Sequence, residues 1–153
     1  MIPTIRDVRT IATAPAGINL LAVKIETSEP GLYGLGCATF AYRAATVQHL
    51  IDTYIKPLLI GRPVDTITEI WQLLHQNAYW RSGPIENNAI SGVDEALWDI
   101  KGKMANMPVY DLFGGKVREG EGLVPDEVVL RKDDPAQSFQ PQLNAALNYI
   151  KAH

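Results

Sequence analysis

The spacing of apolar residues changes near residue 43, from every second position to a helical period of about 3.6. Before this point, residues 18–27 carry apolar side chains at alternating positions, which is typical of a strand with one buried face. Pro30 and Gly31 then predict a type II turn, because proline fixes φ at the second position and glycine accepts a positive φ at the third. Residues 32–39 return as the partner strand, and residues 5–13 add a third strand.

Two glycines, Gly34 and Gly36, interrupt the returning strand. Glycine inside a strand has no side chain to pack, and it commonly marks a bulge or the close approach of another backbone. We therefore expect either a bulge at this place or an element that packs closely against the strand.

The first two predicted helices follow Arg43. Asp65 or Thr66 can cap the second helix, and Thr66 with Glu69 has the spacing of a capping box. The apolar stripes that we expect to face the sheet are Val47, Leu50, Ile51, Tyr54 and Leu58 in the first helix, and Ile67, Ile70, Trp71 and Leu74 in the second.

The third helix has the most regular pattern, and a short fourth helix follows it. Asp99 and Lys103 form an i, i+4 pair of favourable orientation on the third helix. Pro108 suits the start of the fourth helix, which Gly114 and Gly115 end. The apolar stripe of the third helix is Ala89, Ile90, Val93, Ala96, Leu97, Ile100 and Met104.

These elements predict an α+β fold, in which a three-stranded antiparallel sheet is followed by a bundle of three to four helices. They place the domain at residues 1–119. Residues 120–153 are more charged, and only 127–131 resemble a strand and 143–153 a short helix. We expect this last segment to be a weakly determined tail.

Length and charge narrow the class of protein. The 153 residues suffice for one domain with a substantial core. The net charge of −3 indicates no nucleic-acid surface, and no apolar run reaches the roughly 18 residues of a membrane span. Cys37 is the single cysteine, so there is no internal disulfide. Because the N-terminus also lacks the apolar stretch of a secretory signal, we expect a cytoplasmic protein.

Candidate catalytic groups are few. Asp94, Glu95 and Asp99 share the third helix, but they spread around its circumference, which favours a solvated or interfacial polar face over a metal site. Cys37 has no cationic neighbour in the sequence, and we expect a small buried residue rather than a nucleophile. These patterns predict no catalytic residue, and no metal or cofactor bound by this chain alone.

The segment YWRSGPIENNAISGVDEALWDIKGKMANMPVYDLFGG, residues 79–115, resembles the N-terminal capping domain of the enolase superfamily. The resemblance is to the mandelate racemase-like and mannonate dehydratase-like branch, whose members dehydrate sugar acids. It implies a catalytic (β/α) barrel of roughly 200 residues or more, whose carboxylates hold Mg²⁺. In that family the cap supplies two loops that cover the barrel mouth, exclude water and select the substrate.

By this resemblance the two loops are residues 37–43 (CATFAYR) and 77–84 (NAYWRSGP). Aromatic side chains suit the apolar faces of a sugar acid, and arginine suits its hydroxyls or carboxylate. The alternative for Tyr79 and Trp80 is that they anchor the start of the third helix or pack against neighbouring residues. The residues implied to contact substrate are Phe40, Tyr42, Tyr79, Trp80 and Arg81.

Three positions depart from the mannonate dehydratase pattern. Cys37 stands where an acidic residue is typical, and Ala41 stands where a substrate-contacting asparagine is typical. Asp126 lies near the place of a histidine that closes over substrate. The resemblance is strong over residues 18–119 and weak or absent beyond them. It implies a related acid-sugar dehydratase rather than one specific for mannonate.

Two hypotheses follow. In the first, the chain is the substrate-specificity cap of a truncated or degenerate acid-sugar dehydratase, and it is inactive unless a barrel is supplied in trans. Residues 120–153 are then a remnant of the first barrel strand and helix. In the second, the chain is a non-catalytic interaction module that reuses the cap fold as a homo-oligomer. A cap should leave apolar surface open for the barrel, whereas a free-standing module should bury it.

Overall fold

A computed structural model describes residues 2–14, 17–116 and 148 of the chain. Its strands are β1 (Ile5–Thr13), β2 (Leu20–Thr27) and β3 (Tyr33–Cys37), and they form one antiparallel sheet in the order β1-β2-β3. The register of β1 on β2 is irregular between Ile5 and Asp7, whereas β3 pairs with β2 without a shift. The three predicted strands are therefore confirmed.

The turn between β2 and β3 has the features predicted for type II. Gly31 has a φ of +83°, a conformation that glycine adopts without a steric penalty. The N–H of Leu32 donates to the carbonyl of Glu29 at 3.1 Å, which closes the turn across Pro30 and Gly31. The sequence of this turn thus determines where β2 reverses into β3.

Helices make up most of the remaining described chain. They are α1 (Ala44–Leu50), α2 (Lys56–Leu59), α3 (Ile67–Gln76), α4 (Pro84–Ala105) and α5 (Val109–Leu112), and a π-helical turn at Ile51–Ile55 joins α1 to α2. The first predicted helix corresponds to α1, the π-helical turn and α2 together. The third and fourth predicted helices are α4 and α5.

The π-helical turn changes which residues of the first predicted helix are buried. Val47, Ile51, Ile55 and Leu59 are all in the core, whereas Tyr54 is 59% exposed. A π-helix bonds residue i to i+5 and so holds more residues in each turn than an α-helix. Residues four apart therefore stay on one face here, and the prediction that Tyr54 faces the core was wrong.

Two other predicted core residues are exposed. Trp71 lies at the edge of the buried stripe of α3 and stacks on His75, with 5.0 Å between ring centroids. Met104 lies where α4 has passed the end of the sheet, because the preceding Lys103 already contacts Tyr33 at the start of β3. The rest of the predicted α4 stripe is buried.

The predicted capping box at the start of α3 does not form. Thr66 is the N-cap residue, but its hydroxyl donates to the carbonyl of Pro63 at 3.3 Å. Glu69 pairs instead with Arg62, with 3.2 Å between Oε1 and Nη1. Arg62, which precedes α3, thus binds Glu69 in place of the backbone N–H of the N-cap residue.

Helix α4 packs directly on the backbone of β3. A Cβ atom on Gly34 would overlap the carbonyl oxygen of Ala96, and a Cβ on Gly36 would overlap that of Gly92. The two glycines are therefore required for close packing, which was one of the two predicted alternatives; the bulge is not observed.

The outer edge of β3 is bonded to side chains of α4. Four helical residues rise about 6 Å, and two strand residues rise about 6.8 Å, so side chains one turn apart can reach alternate residues of the strand. The contacts are Glu95 Oε2 with the Cys37 N–H at 2.8 Å, Asp99 Oδ2 with the Leu35 N–H at 2.9 Å, and Lys103 Nζ with the Tyr33 carbonyl at 2.7 Å. We call these three contacts the edge ladder.

The predictions for the tail lie outside the described residues. They concern the boundary at residue 119, the strand at 127–131 and the helix at 143–153, of which the structure describes only residue 148. No helix within the described ranges is both long and apolar enough to cross a membrane.

Candidate functional site

The two loops singled out in the sequence lie at the same end of the domain. β3 and α4 run in opposite directions, so the end of β3 at Cys37 lies beside the first half of α4. The first loop leaves β3 there, and the second loop enters α4 at Pro84. Residues 37–43 and 77–84 therefore frame the N-terminal end of α4. We call this surface the loop face.

The first loop displays one of its two aromatic side chains. Tyr42 is 86% exposed, whereas Phe40 is partly buried and packs against the hydrophobic core. The N–H of Arg43 donates to the Phe40 carbonyl at 2.9 Å, and Arg43 Nη1 donates to the Tyr42 carbonyl at 2.8 Å. The loop is thus a compact turn with Tyr42 at its tip, and a substrate contact by Phe40 remains a prediction.

The second loop displays both of its aromatic side chains. Tyr79 is 87% exposed and Trp80 is 82% exposed, and the two rings meet edge to face with 5.1 Å between centroids. The two rings pack against each other, and Trp80 also lines a cleft with Glu86 of α4, so both the substrate contact and the alternative role remain predictions. Such exposed ring surfaces are suited to a ligand or partner, since large aromatics gain most when they are buried.

Arg81 follows these aromatics on the same loop. Its Nε donates to the carbonyl of Ala78 at 3.3 Å, and in the described part of the chain its other guanidinium nitrogens have no hydrogen bond. Ser82 comes next with a φ of +69°, which is uncommon for a residue other than glycine. Sequence reasoning did not identify Ser82, because nothing in its neighbours indicates a left-handed conformation.

A small cleft lies behind the second loop. Trp80 and Arg81 line it together with Tyr54, His75 and Glu86. Its volume is about 40 Å³, whereas ligand pockets are typically about 300–1,000 Å³. The cleft accepts water but not a sugar acid, so the loop face needs a second surface to enclose a substrate.

Cys37 is exposed, and the prediction that it is buried was wrong. It pairs with Ala22 in the register of β3 on β2, on the face of the sheet that points away from the core. Its Sγ lies 3.1 Å from the hydroxyl of Thr39. The alternation of strand residues between two faces explains the exposure, and the weak pattern around Gly36 hid it.

The three carboxylates of α4 have different environments. Glu95 and Asp99 bind the edge of β3, which confirms an interfacial role. Asp94 faces a groove near Trp98; burial raises the pKa of Asp94, the charge of Glu95 raises it further, and a hydrogen bond from Trp98 lowers it. Among the residues described, no three His, Cys, Asp or Glu side chains are grouped to hold a metal ion.

The sequence matches the mandelate racemase / muconate lactonizing enzyme N-terminal domain over residues 3–114. The chain belongs to this family. The match includes all three strands and the helices up to α5, so the observed α+β fold and the enolase-superfamily resemblance agree.

Curated relatives with similar sequences are D-galactonate dehydratase family members. A D-galactonate dehydratase family member of Enterocloster bolteae is 62% identical over 117 residues, which are 76% of this chain and 29% of the relative. The D-galactonate dehydratase family member RspA of Pantoea ananatis is 60% identical over 147 residues, which are 96% of this chain and 35% of the relative. The chain spans about a third of the length of these relatives.

Solved structures share the fold of the cap. An enolase from Pantoea ananatis with bound D-gluconate and magnesium has a TM-score of 0.76 and 59% identity, and the match covers 77% of this chain and 28% of that one. A member of the enolase superfamily from Salmonella Typhimurium has a TM-score of 0.68 and 34% identity, and the match covers 77% of this chain and 30% of that one.

The resemblance is longer than the sequence indicated. It was predicted to be strong only over residues 18–119, whereas the family match begins at residue 3 and the similarity to RspA extends over 147 residues. A match of this length necessarily continues past residue 119. The charged composition of the last segment gives no hydrophobic period, and this hid its relation to the family.

Proposed function

We propose that this chain is the substrate-specificity cap of an acid-sugar dehydratase. The loop face carries the proposal, because it exposes Tyr42, Tyr79, Trp80 and Arg81 around one end of α4. Support for the substrate class comes from relatives that are named D-galactonate dehydratase family members and from a similar enolase that holds D-gluconate.

The chemistry of the loop face suits recognition of a sugar acid. Arg81 has guanidinium donors to offer, and arginine binds carboxylate in a bidentate, charge-assisted manner. The rings of Tyr42, Tyr79 and Trp80 can cover the C–H faces of a sugar chain and exclude water from the reacting end. The loops would therefore select and enclose the substrate rather than transfer its proton.

The described residues do not fit the magnesium ion of the similar enolase. Magnesium requires oxygen ligands that converge in near-octahedral geometry. Glu95 and Asp99 direct their oxygens to the amides of β3. Asp94 lines the same groove as these two carboxylates, but no three His, Cys, Asp or Glu side chains among the described residues are grouped to hold a metal ion. In this proposal the metal and the base that removes the α-proton belong to a barrel domain, and the cap alone has no dehydratase activity.

A groove between the start of β3, α4 and α5 supports a partner at a surface other than the loop face. Its lining includes Tyr33, Trp98, Val109 and Phe113, and Phe113 is exposed. We propose that a barrel domain covers this groove. The alternative is a homo-oligomer of caps, and sedimentation of the purified chain distinguishes the two, because the cap proposal predicts a monomer that binds an apolar dye.

A chimera tests the proposed function. Residues 3–114 of this chain replace the matching segment of the Pantoea ananatis relative, and the product is assayed with a panel of acid sugars and Mg²⁺. We expect dehydration of at least one acid sugar by the chimera and none by this chain alone. Turnover by the chain alone, or a folded chimera that is inactive with the whole panel, would contradict the proposal.

A further inference from the structure

We propose that Glu95 is a positioning residue, which fixes the direction in which the first loop of the loop face leaves β3. Its effect on the loop stands by itself, and only its consequence for substrate binding rests on the proposed function.

Both oxygens of Glu95 have hydrogen-bond donors. Oε2 accepts the backbone N–H of Cys37 at 2.8 Å, and Oε1 accepts the hydroxyl of Ser91 at 3.2 Å from one turn earlier on α4. The carboxylate is therefore held in one orientation, although the side chain lies at the surface. A hydrogen bond to an ionised acceptor is stronger than one between neutral groups.

Hydrogen bonds hold the first residues of the loop from two sides, from β2 and from α4. Successive backbone N–H groups of a strand point to opposite edges. The N–H of Ala38 points to β2 and donates to the Leu21 carbonyl at 2.9 Å, whereas the N–H of Cys37 points away from β2 and reaches Glu95. Thr39 adds a second contact on the β2 side by accepting the Leu21 N–H at 3.0 Å. Within the described contacts, Glu95 provides the hydrogen bond on the α4 side.

The direction of this exit determines the place of Tyr42. The turn closed by the Arg43 N–H on the Phe40 carbonyl follows directly on the peptide that Glu95 holds, so we expect this turn to open more often when that peptide is released. Tyr42 itself is exposed at the tip and is not held by neighbouring side chains of the core. Loss of the Glu95 contact should therefore loosen the loop without removing any loop residue.

Asp99 provides a matched control on the same helix. It accepts the N–H of Leu35 at 2.9 Å, which is the next rung of the edge ladder and lies two residues further from the loop. Asp99→Ala removes the same kind of bond from β3 as Glu95→Ala. Only Glu95→Ala affects Cys37, the residue at which the loop begins.

Amide hydrogen exchange on the full chain tests the positioning directly. In Glu95→Ala we expect the amides of Cys37, Ala38 and Arg43 to exchange about tenfold faster or more, since a hydrogen bond to a charged group is lost. In Asp99→Ala we expect faster exchange at Leu35 and unchanged exchange at Arg43. Glu95→Gln keeps an acceptor oxygen and should restore most of the protection. Unchanged exchange at Arg43 in Glu95→Ala would overturn the proposal.

The active chimera tests the consequence for substrate. Glu95→Ala should raise KM for the acid sugar several-fold with kcat little changed, Glu95→Gln should return KM towards its original value, and Asp99→Ala should leave KM unchanged. Equal KM values in all variants of an active chimera would also overturn the proposal. If the unsubstituted chimera is inactive, the proposed function fails, and the exchange measurements alone decide whether Glu95 positions the loop.

Discussion

Asp99 accepts a hydrogen bond from the backbone N–H of Leu35, with 2.9 Å between Oδ2 and the nitrogen. This contact satisfies an N–H on the outer edge of β3, where no further strand of the described ranges pairs with it. An open edge is a site of unwanted pairing with other chains. Helix α4 thus covers the edge with side chains, and the same side chains fix the helix on the sheet.

The bond between Asp99 and Leu35 should contribute measurably to stability. We expect Asp99→Ala to lower the free energy of unfolding by about 1–3 kcal/mol, because a bonded N–H of β3 loses its partner and Lys103 loses its ion pair. Asp111→Ala, at an exposed position of α5, is the control and should change little. Urea titration measures both. Equal losses would show that the edge ladder does not stabilise the fold.

Gly36 should not tolerate a methyl group. Gly36→Ala places a Cβ against the carbonyl oxygen of Gly92, so α4 must move, and we expect a loss of about 3 kcal/mol or more. Gly61→Ala is the comparison, because its surroundings are open and only its positive φ opposes the change, at a cost of about 1–2 kcal/mol. Thermal or urea unfolding should therefore rank Gly36→Ala as clearly the more damaging substitution.

The buried face of α4 should dominate the stability of the helix. Leu97 is fully buried, and Leu97→Ala should cost about 2–5 kcal/mol through lost contacts and a cavity. Met104→Ala on the same helix should cost less than about 1 kcal/mol, because Met104 is exposed. A denaturant titration that finds similar costs would contradict the assignment of the two faces.

Asp94 should make stability depend on pH in a direction opposite to that of most carboxylates. Its folded pKa is raised above 3.8 by burial first and by Glu95 second. The folded state therefore holds the proton more tightly than the unfolded state, and this contribution to stability falls as pH rises from 3.8 through the folded pKa.

Asp94→Asn tests the direction in which Asp94 makes stability depend on pH. The amide cannot ionise, so the variant should be more stable than the original chain at about pH 7, and the difference should disappear as pH falls below the ordinary aspartate value. Asp111→Asn serves as the control at an exposed position. Urea titrations across this range measure the difference, and a stabilisation that grows at acid pH would show that the pKa is lowered instead.

The sequence predicts the fold well where a pattern has a single physical cause. Alternating apolar residues in β2 and the Pro30–Gly31 turn allow few alternatives, and the long stripe of α4 is equally clear. Gly34 and Gly36 indicated close packing because a missing side chain has a limited number of explanations. The sequence could not show that α4 was the element that packs there, since this depends on contacts about 60 residues apart along the chain.

The errors have physical causes as well. Tyr54 was placed in the core by a regular helical period, which the π-helical turn interrupts. Cys37 was judged by its apolar character rather than by its face of the strand. The interfacial role of Glu95 was among the predictions, but its partner was not, because a sequence does not show which backbone amide a carboxylate will reach. The candidate site depended on family resemblance for its loops, and the structure adds that both loops lie towards the N-terminal end of α4.

Arg81 provides the most direct test of the claim that the loop face selects an acid sugar. The measurement is kcat/KM of the active chimera with and without Arg81→Ala, using Arg6→Ala as the control, because Arg6 is exposed on β1 near the opposite end of the sheet. Loss of charge-assisted bonds of about 1.5–3 kcal/mol predicts a decrease of roughly 10- to 150-fold for Arg81→Ala. Arg6→Ala should leave kcat/KM within about twofold of the unsubstituted chimera. Equal values for the two variants would contradict a substrate-facing role for the loop face.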